Sequence, residues 1–175
     1  MPRIPYADKA SFSDPDTANV TRMLAVASPI VSKAMGDLGS AFIKGSPLPP
    51  KLREIAILRA GYISNALYET WQHEALGRFV GLNDSQIAAI KAGDANSNAL
   101  DAAERAVLAF VEDVIVNVRA SDATLSAVRK HLGDAEVLDL ILVTGYYMTI
   151  SRLLETTGVE LDAEPIDWNV FMKPR

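Results

Sequence analysis

The chain has 175 residues, 49% of them hydrophobic, which is enough for one domain with a sizeable core and short for two. Its net charge of −5, with 17 Lys and Arg scattered rather than gathered into a stripe, argues against phosphate-backbone recognition, so no nucleic-acid partner is expected. With no cysteine, these residues form no disulfide, bind no metal through thiolate and run no thiol mechanism.

Residues 1–16 are rich in Pro, Asp and Ser and lack the apolar core of a signal peptide. They read as an extended arm, and a cytoplasmic protein is expected. A helix starts near Thr17, with Val20, Met23, Leu24 and Ala27 at helical spacing. Ser28 and Pro29 then supply a cap and a first-turn proline for a second helix running to about Lys44. Its Ile30, Val31, Met35, Leu38 and Phe42 are core candidates. The breaker GSPLPP at 45–50 ends it.

The next stretch, 49–82, is where ionisable side chains recur inside an apolar helical pattern. On a helix opened by Pro49 and Pro50, Glu54 shares its stripe with Ile57, Leu58 and Gly61, so its carboxylate points where the apolar side chains point. That is a costly place for a charge. Ser64 and Asn65 can cap the following helix, on which His73 shares a face with Glu69, Leu76, Gly77 and Val80. Gly81 stands where a left-handed terminal residue is expected. The short turn between the two helices predicts antiparallel neighbours, each aiming polar chemistry at a common interior. Glu69 has no Arg or Lys at its i+3 or i+4 position, so no local salt bridge explains it. Trp71 points away from His73 and reads as core or interface. Tyr68 reads as structural.

Asn83 and Asp84 cap a brief helix over 85–92, and GDANSNAL is a polar loop. Asp101 with Glu104 has the capping-box pattern ahead of a helix carrying Val107, Val111, Val114, Ile115 and Val118. Ser121 caps another, ending at Gly133, where the exposed His131 reads as solvated. The segment 134–157 is apolar on nearly all sides and predicts a helix buried centrally or at a subunit contact. Tyr146, Tyr147 and Arg152 interrupt it. Gly158 ends it, and 162–175 form a tail whose Trp168 and Phe171 need something to pack against. No run approaches the roughly 18 uninterrupted apolar residues of a membrane span, so no membrane partner is expected. With no period-2 segment of useful length, the fold class is all-α, with a helical domain over 17–161.

LPPKLREIAILRAGYISNALYETWQHEALGRFVGLNDSQIAAI resembles the core motif of the carboxymuconolactone decarboxylase family, which includes the alkyl hydroperoxidase D-like proteins. The proline-led LRE-IAIL helix, the group Tyr68, Glu69, Trp71 and His73, and the GL-DSQI-AI that follows carry the likeness. Downstream, Tyr146, Tyr147, Arg152 and Gly158 resemble the cysteine-less members. The resemblance implies an all-helical homo-oligomer, commonly a trimer or hexamer, with a dimer also open. The hydroperoxidase branch uses a Cys-x-x-Cys pair with an upstream glutamate and a histidine four residues after the second cysteine. By this resemblance the glutamate falls on Glu54 and the histidine on His73, while the cysteine positions fall on Ala66 and Glu69. Thiol peroxidase activity is therefore unavailable.

The expected function is a cofactor-independent lyase or isomerase of a small organic acid or lactone. His73, Glu54 and Glu69 are its catalytic residues, with His73 moving the proton, Glu54 holding the imidazole and Glu69 assisting. Arg152 is the candidate for a substrate carboxylate, with Tyr146 and Tyr147 as pocket wall. One alternative is a ligand-binding or oligomeric scaffold without turnover, favoured if Glu54 pairs with an arginine in a filled core. A third is a metal enzyme using Glu54, Glu69 and His73, but one histidine is fewer than divalent sites usually recruit, and no metal is assigned.

Overall fold

The computed structural model describes residues 1–168, so Phe171 lies outside the described residues. A 3-10 turn (Lys9–Ser11) precedes α1 (Asn19–Leu24), α2 (Pro29–Lys44), α3 (Pro50–Ile63), α4 (Leu67–Phe79), α5 (Asp84–Ala92), α6 (Ala102–Asn117), α7 (Asp122–Val128) and α8 (Asp134–Thr157). Among the described residues there is no strand.

Local chemistry sets most boundaries. Asn83 and Gln86 form a reciprocal capping box on α5, and Asp101 and Glu104 form one on α6. The Ser121 hydroxyl accepts from the Thr124 N–H at the start of α7. Ser28 makes no side-chain cap on α2, where Pro29 alone fixes the first turn. Nor do Ser64 and Asn65 cap α4. Asn65 instead turns the chain with φ 51, and Ala66 occupies the cap. Gly158 closes α8 at φ 67, a left-handed conformation that costs glycine little.

Helix α3 is the hub. It packs against α4, α5, α6 and α8, and Ile55, Ala56, Ile57 and Leu58 are wholly buried. Facing them are Val107, Leu108 and Phe110 of α6 and Leu140 and Val143 of α8. Burying an aliphatic side chain of this size contributes about 1.5–3 kcal/mol, so this layer dominates the stability of the domain.

One expectation needs correcting. Ile30, Val31 and Leu38 are exposed, Ile30 at 80%, because α2 meets the body chiefly through α1, an edge of α8 and its own C-terminal Phe42 and Ile43. Helix α8, expected to be buried centrally or at a subunit contact, buries one face within the chain. Val137, Leu140, Val143, Tyr147, Ile150 and Leu154 face inward, whereas Leu138, Ile141 and Leu142 are exposed. By length and mean hydropathy α8 would suffice to cross a membrane, although it contains no uninterrupted apolar run of that length, and its inner face is packed on α3 and α6 as a core helix.

The N-terminal arm is fastened to the end of α8 and the residues just after it. The Arg3 N–H donates to the Thr157 carbonyl at 2.6 Å, and the Glu160 N–H donates to the Tyr6 hydroxyl at 2.9 Å. Asp162 accepts from the Asn19 N–H at 2.9 Å and from the Tyr68 hydroxyl at 2.5 Å. Gln72 accepts from the Ile166 N–H at 2.9 Å. Residues 162–166 are thereby pinned along α4.

Candidate functional site

Helix α4 folds back along α3 after a three-residue turn, and two glycines set how close it comes. A Cβ on Gly61 would stand 3.0 Å from Thr70 Cγ2 and 3.5 Å from Glu69 Cβ. One on Gly77 would stand 3.0 Å from Leu82 Cδ1 and 3.5 Å from Leu58 Cδ1. This approach brings the polar face of α4 onto Glu54.

The resulting cluster is a line of alternating groups. Arg53 donates through Nε to Glu54 Oε1 at 3.3 Å and through Nη1 to the Phe42 carbonyl at 3.1 Å. The other Glu54 oxygen lies 2.7 Å from His73 Nδ1. Beyond the ring, His73 Nε2 is 3.6 Å from Glu69 Oε2, too far for a direct hydrogen bond, and Glu69 Oε2 is buried without a hydrogen-bond partner among the described residues. Arg53 is 1% exposed, Glu54 0%, Glu69 4% and His73 5%, so all four side chains act with little solvent screening.

Glu69 and His73 stand on the wall of a cavity of about 750 Å³. Tyr146, Tyr147, Ile150 and Trp168 belong to its aromatic and apolar wall, and Gly39 and Ser40 of α2 border it. Gly39 is needed there, because a Cβ would stand 2.5 Å from the Tyr146 hydroxyl, which donates to the Met35 carbonyl at 2.9 Å. The Tyr147 ring meets the His73 ring edge-on at 4.7 Å, and the Trp168 ring lies 5.9 Å from it.

Burial raises the Glu69 carboxyl from the ordinary glutamate value to about 7. The charge of His73 opposes that rise, and the charge of Glu54 adds to it. Glu69 sits in the first turn of α4, where a helix dipole favours the anion, but desolvation prevails. Burial pushes His73 down, yet the charge and hydrogen bond of Glu54 and the charge of Glu69 hold it above its ordinary value, with Arg53 opposing. Near neutral pH, therefore, the His73–Glu69 gap holds a donor and an acceptor side by side. The tyrosines stay protonated: burial and the charge of Glu69 push Tyr146 up to about 12, and burial with the charges of Glu69 and Glu54 pushes Tyr147 well above its ordinary value.

The structure thus brings together Glu54, Glu69, His73, Tyr146 and Tyr147 from the sequence expectations. Glu54 stands behind His73 and does not line the cavity. Arg152 is not brought in. It is exposed, donates to the Met148 carbonyl at 2.7 Å one turn back along its own helix, and does not border the cavity. Tyr68 has the structural role expected of it, as the anchor of Asp162, but also lines the cavity. Sequence reasoning missed Arg53, Gln72 and Ile166, and gave Trp168 no place in the site. A charge adjoining Glu54 in an otherwise apolar helix was the available signal for Arg53. Among the described residues no three His, Asp or Glu side chains form a group able to hold a metal ion.

No family model matches the sequence, and no curated protein matches it. Solved structures do match. One is a protein of unknown function from Agrobacterium tumefaciens described as a putative antioxidant defence protein AhpD: 25% identical, TM-score 0.72, covering 80% of this chain and 96% of that one. A peroxidase-related protein from Ralstonia eutropha JMP134 with an alkylhydroperoxidase AhpD core is 19% identical, TM-score 0.79, covering 98% of this chain and 95% of that one. The debrominase Bmp8, as a cysteine-to-alanine variant with 2,3,4-tribromopyrrole, is 14% identical, TM-score 0.69, covering 81% of this chain and 77% of that one. The chain has the all-helical fold of the alkyl hydroperoxidase D-like, carboxymuconolactone decarboxylase group, built here without a cysteine.

Proposed function

We propose that the chain is a cofactor-independent acid–base catalyst of the lyase or isomerase type, acting on a small enolisable molecule. The observation that carries this reading is the buried line Glu54, His73, Glu69, ending in an unpartnered carboxyl oxygen at a cavity. Glu54 fixes the imidazole through Nδ1 and leaves Nε2 facing the cavity side. Between Nε2 and Glu69 one group takes a proton from the substrate while the other returns one, so the pair can move a double bond or open a lactone without changing its own net protonation. Of the two substrate classes the sequence suggested, the lactone suits the site better, because Arg152 does not border the cavity. Bmp8, a protein of this fold, has been crystallised with 2,3,4-tribromopyrrole, which supports a small ring as occupant here.

One observation favours the scaffold alternative: Glu54 does pair with a buried arginine, Arg53. It pairs with His73 at the same time, through its other oxygen, and the cavity beyond is open rather than filled. Screening lactones and aromatic-catabolism intermediates by loss of ultraviolet absorbance, with His73→Gln as control, separates the readings. General acid–base catalysis predicts that His73→Gln keeps the helical circular-dichroism spectrum and loses about 10²–10⁴-fold in turnover. Equal turnover by wild type and variant sinks the acid–base assignment.

We also propose a homo-oligomer, with the exposed Leu138, Ile141 and Leu142 of α8 covered by another copy.

A further inference from the structure

The charged groups around His73 can be counted. Two buried cationic groups, Arg53 and His73, stand in one line with two buried carboxylates, Glu54 and Glu69. Glu54 contacts both cations, one through each oxygen, and Glu69 faces the free side of the imidazole. Among the described residues no further cation is buried at the cavity. Lys44 borders it but is exposed, and Arg152 lies outside it. A substrate carboxylate brought against His73 would be a third buried anion for two cations, beside Glu69, in a site where water does little to screen it.

The gap between His73 Nε2 and Glu69 Oε2, 3.6 Å across, asks for something else. A hydroxyl placed there donates through its hydrogen to one partner and accepts at its oxygen from the other, giving Glu69 Oε2 the partner it lacks. Much of the rest of the wall is aromatic and aliphatic, with Tyr146, Tyr147, Trp168, Ile43 and Ile150, while Thr21, Ser40, Lys44 and Gln72 are its polar members. The aromatic and aliphatic surfaces take a flat apolar ring edge-on or offset. We infer that the occupant of this cavity is an uncharged ring with one hydroxyl of the phenol or enol class, seated between His73 and Glu69, and that ring carboxylates are rejected from that seat.

This rests on the acid–base reading of the same pair, but it concerns binding, so the two can fail separately. The test is isothermal titration calorimetry of the full chain at about pH 8, where a phenol-type hydroxyl, with a pKa near 10, remains neutral. The probes are 4-methylphenol, 4-methylanisole and 4-methylbenzoate, which share a ring and differ in the group offered to Glu69. The phenol should bind at least about tenfold more tightly than either other probe, equivalent to about 1.4 kcal/mol. Glu69→Leu should level phenol and anisole, whereas Glu69→Gln, which keeps a neutral hydrogen-bonding head, should retain the preference.

The inference is overturned if benzoate or anisole binds as tightly as the phenol, if the phenol shows no saturable binding, or if its preference survives Glu69→Leu. Phenol preference in a protein that turns over no screened compound removes the acid–base reading and leaves this inference standing. Turnover in a protein that prefers benzoate does the reverse.

Discussion

Helices α3 and α8 are opposites. In α3, nine of 14 residues are buried, Arg53 and Glu54 among them, while in the more apolar α8 only nine of 24 are buried and three large aliphatic side chains lie open. A charge kept inside at the desolvation cost of an ion has to be held by partners, and here those partners run straight to the cavity. An apolar residue left outside costs little and points instead to another surface. The inner helix therefore backs the cavity, with Glu54 holding His73 of α4, and the outer one carries the expectation of a neighbour.

The strongest way to break this contrast is to remove one partner of the buried pair. Glu54→Leu should leave the Arg53 guanidinium buried and unpaired and cost about 3–5 kcal/mol in chemical denaturation. Arg53→Met combined with Glu54→Leu should recover most of that loss, since a matched apolar pair needs no compensation, while leaving His73 without its anchor. If the double variant is no more stable than Glu54→Leu, the buried pair is not a self-compensating unit.

A smaller effect concerns pH. A carboxyl raised to about 7 in the folded protein stabilises it fully below the ordinary glutamate value and loses that contribution as pH rises through about 7. His73, also raised, acts in the same direction. The groups facing this pair are Arg53 and Glu54 from α3 and Tyr146 and Tyr147 from α8, and those tyrosines stay neutral across this range. Glu69→Gln should therefore flatten the decline in thermal stability between about pH 5 and 8 and melt later than wild type at the alkaline end, by up to about 3 kcal/mol. Melting curves across that range check it. Parallel profiles for the two proteins would mean Glu69 ionises freely in place.

The mildest effect belongs to α8. Leu138→Asp with Leu142→Asp should change the stability of a single copy by about 0.5 kcal/mol or less, because both side chains are exposed. In sedimentation the same pair of changes should release monomers from a wild-type oligomer. A monomeric wild type would remove the reason given for the exposed stripe.

Helical period alone made Glu54, Glu69 and His73 legible, because each sat on an apolar stripe and the short turn at 64–66 forced the stripes together. Tyr146 and Tyr147 were legible as polar tips within an apolar helix. Arg152 was misjudged for the same reason: in a helix apolar on nearly every side, periodicity does not say which side faces in, and Arg152 belongs to the outer one. Arg53 was missed because adjacent residues project about 100° apart, which implies a different environment unless the helix is surrounded, as α3 is. Ile30, Val31 and Leu38 were assigned to the core although nothing local reveals that α2 lies at the edge. The place of Ile166 and Trp168 at the cavity depends on Gln72 and Tyr68 meeting residues some 90 positions away, beyond the reach of spacing arguments.

The position of Trp168 has a practical consequence. One of two tryptophans in the chain, it borders the cavity with its ring 5.9 Å from the His73 imidazole. Its fluorescence is thus a built-in signal from the site, sensitive both to a proton arriving on that ring and to a ligand displacing water from the cavity. With Trp71→Phe removing the other emitter, site occupancy and the protonation of His73 can be followed optically on the unlabelled chain, even before a substrate is known.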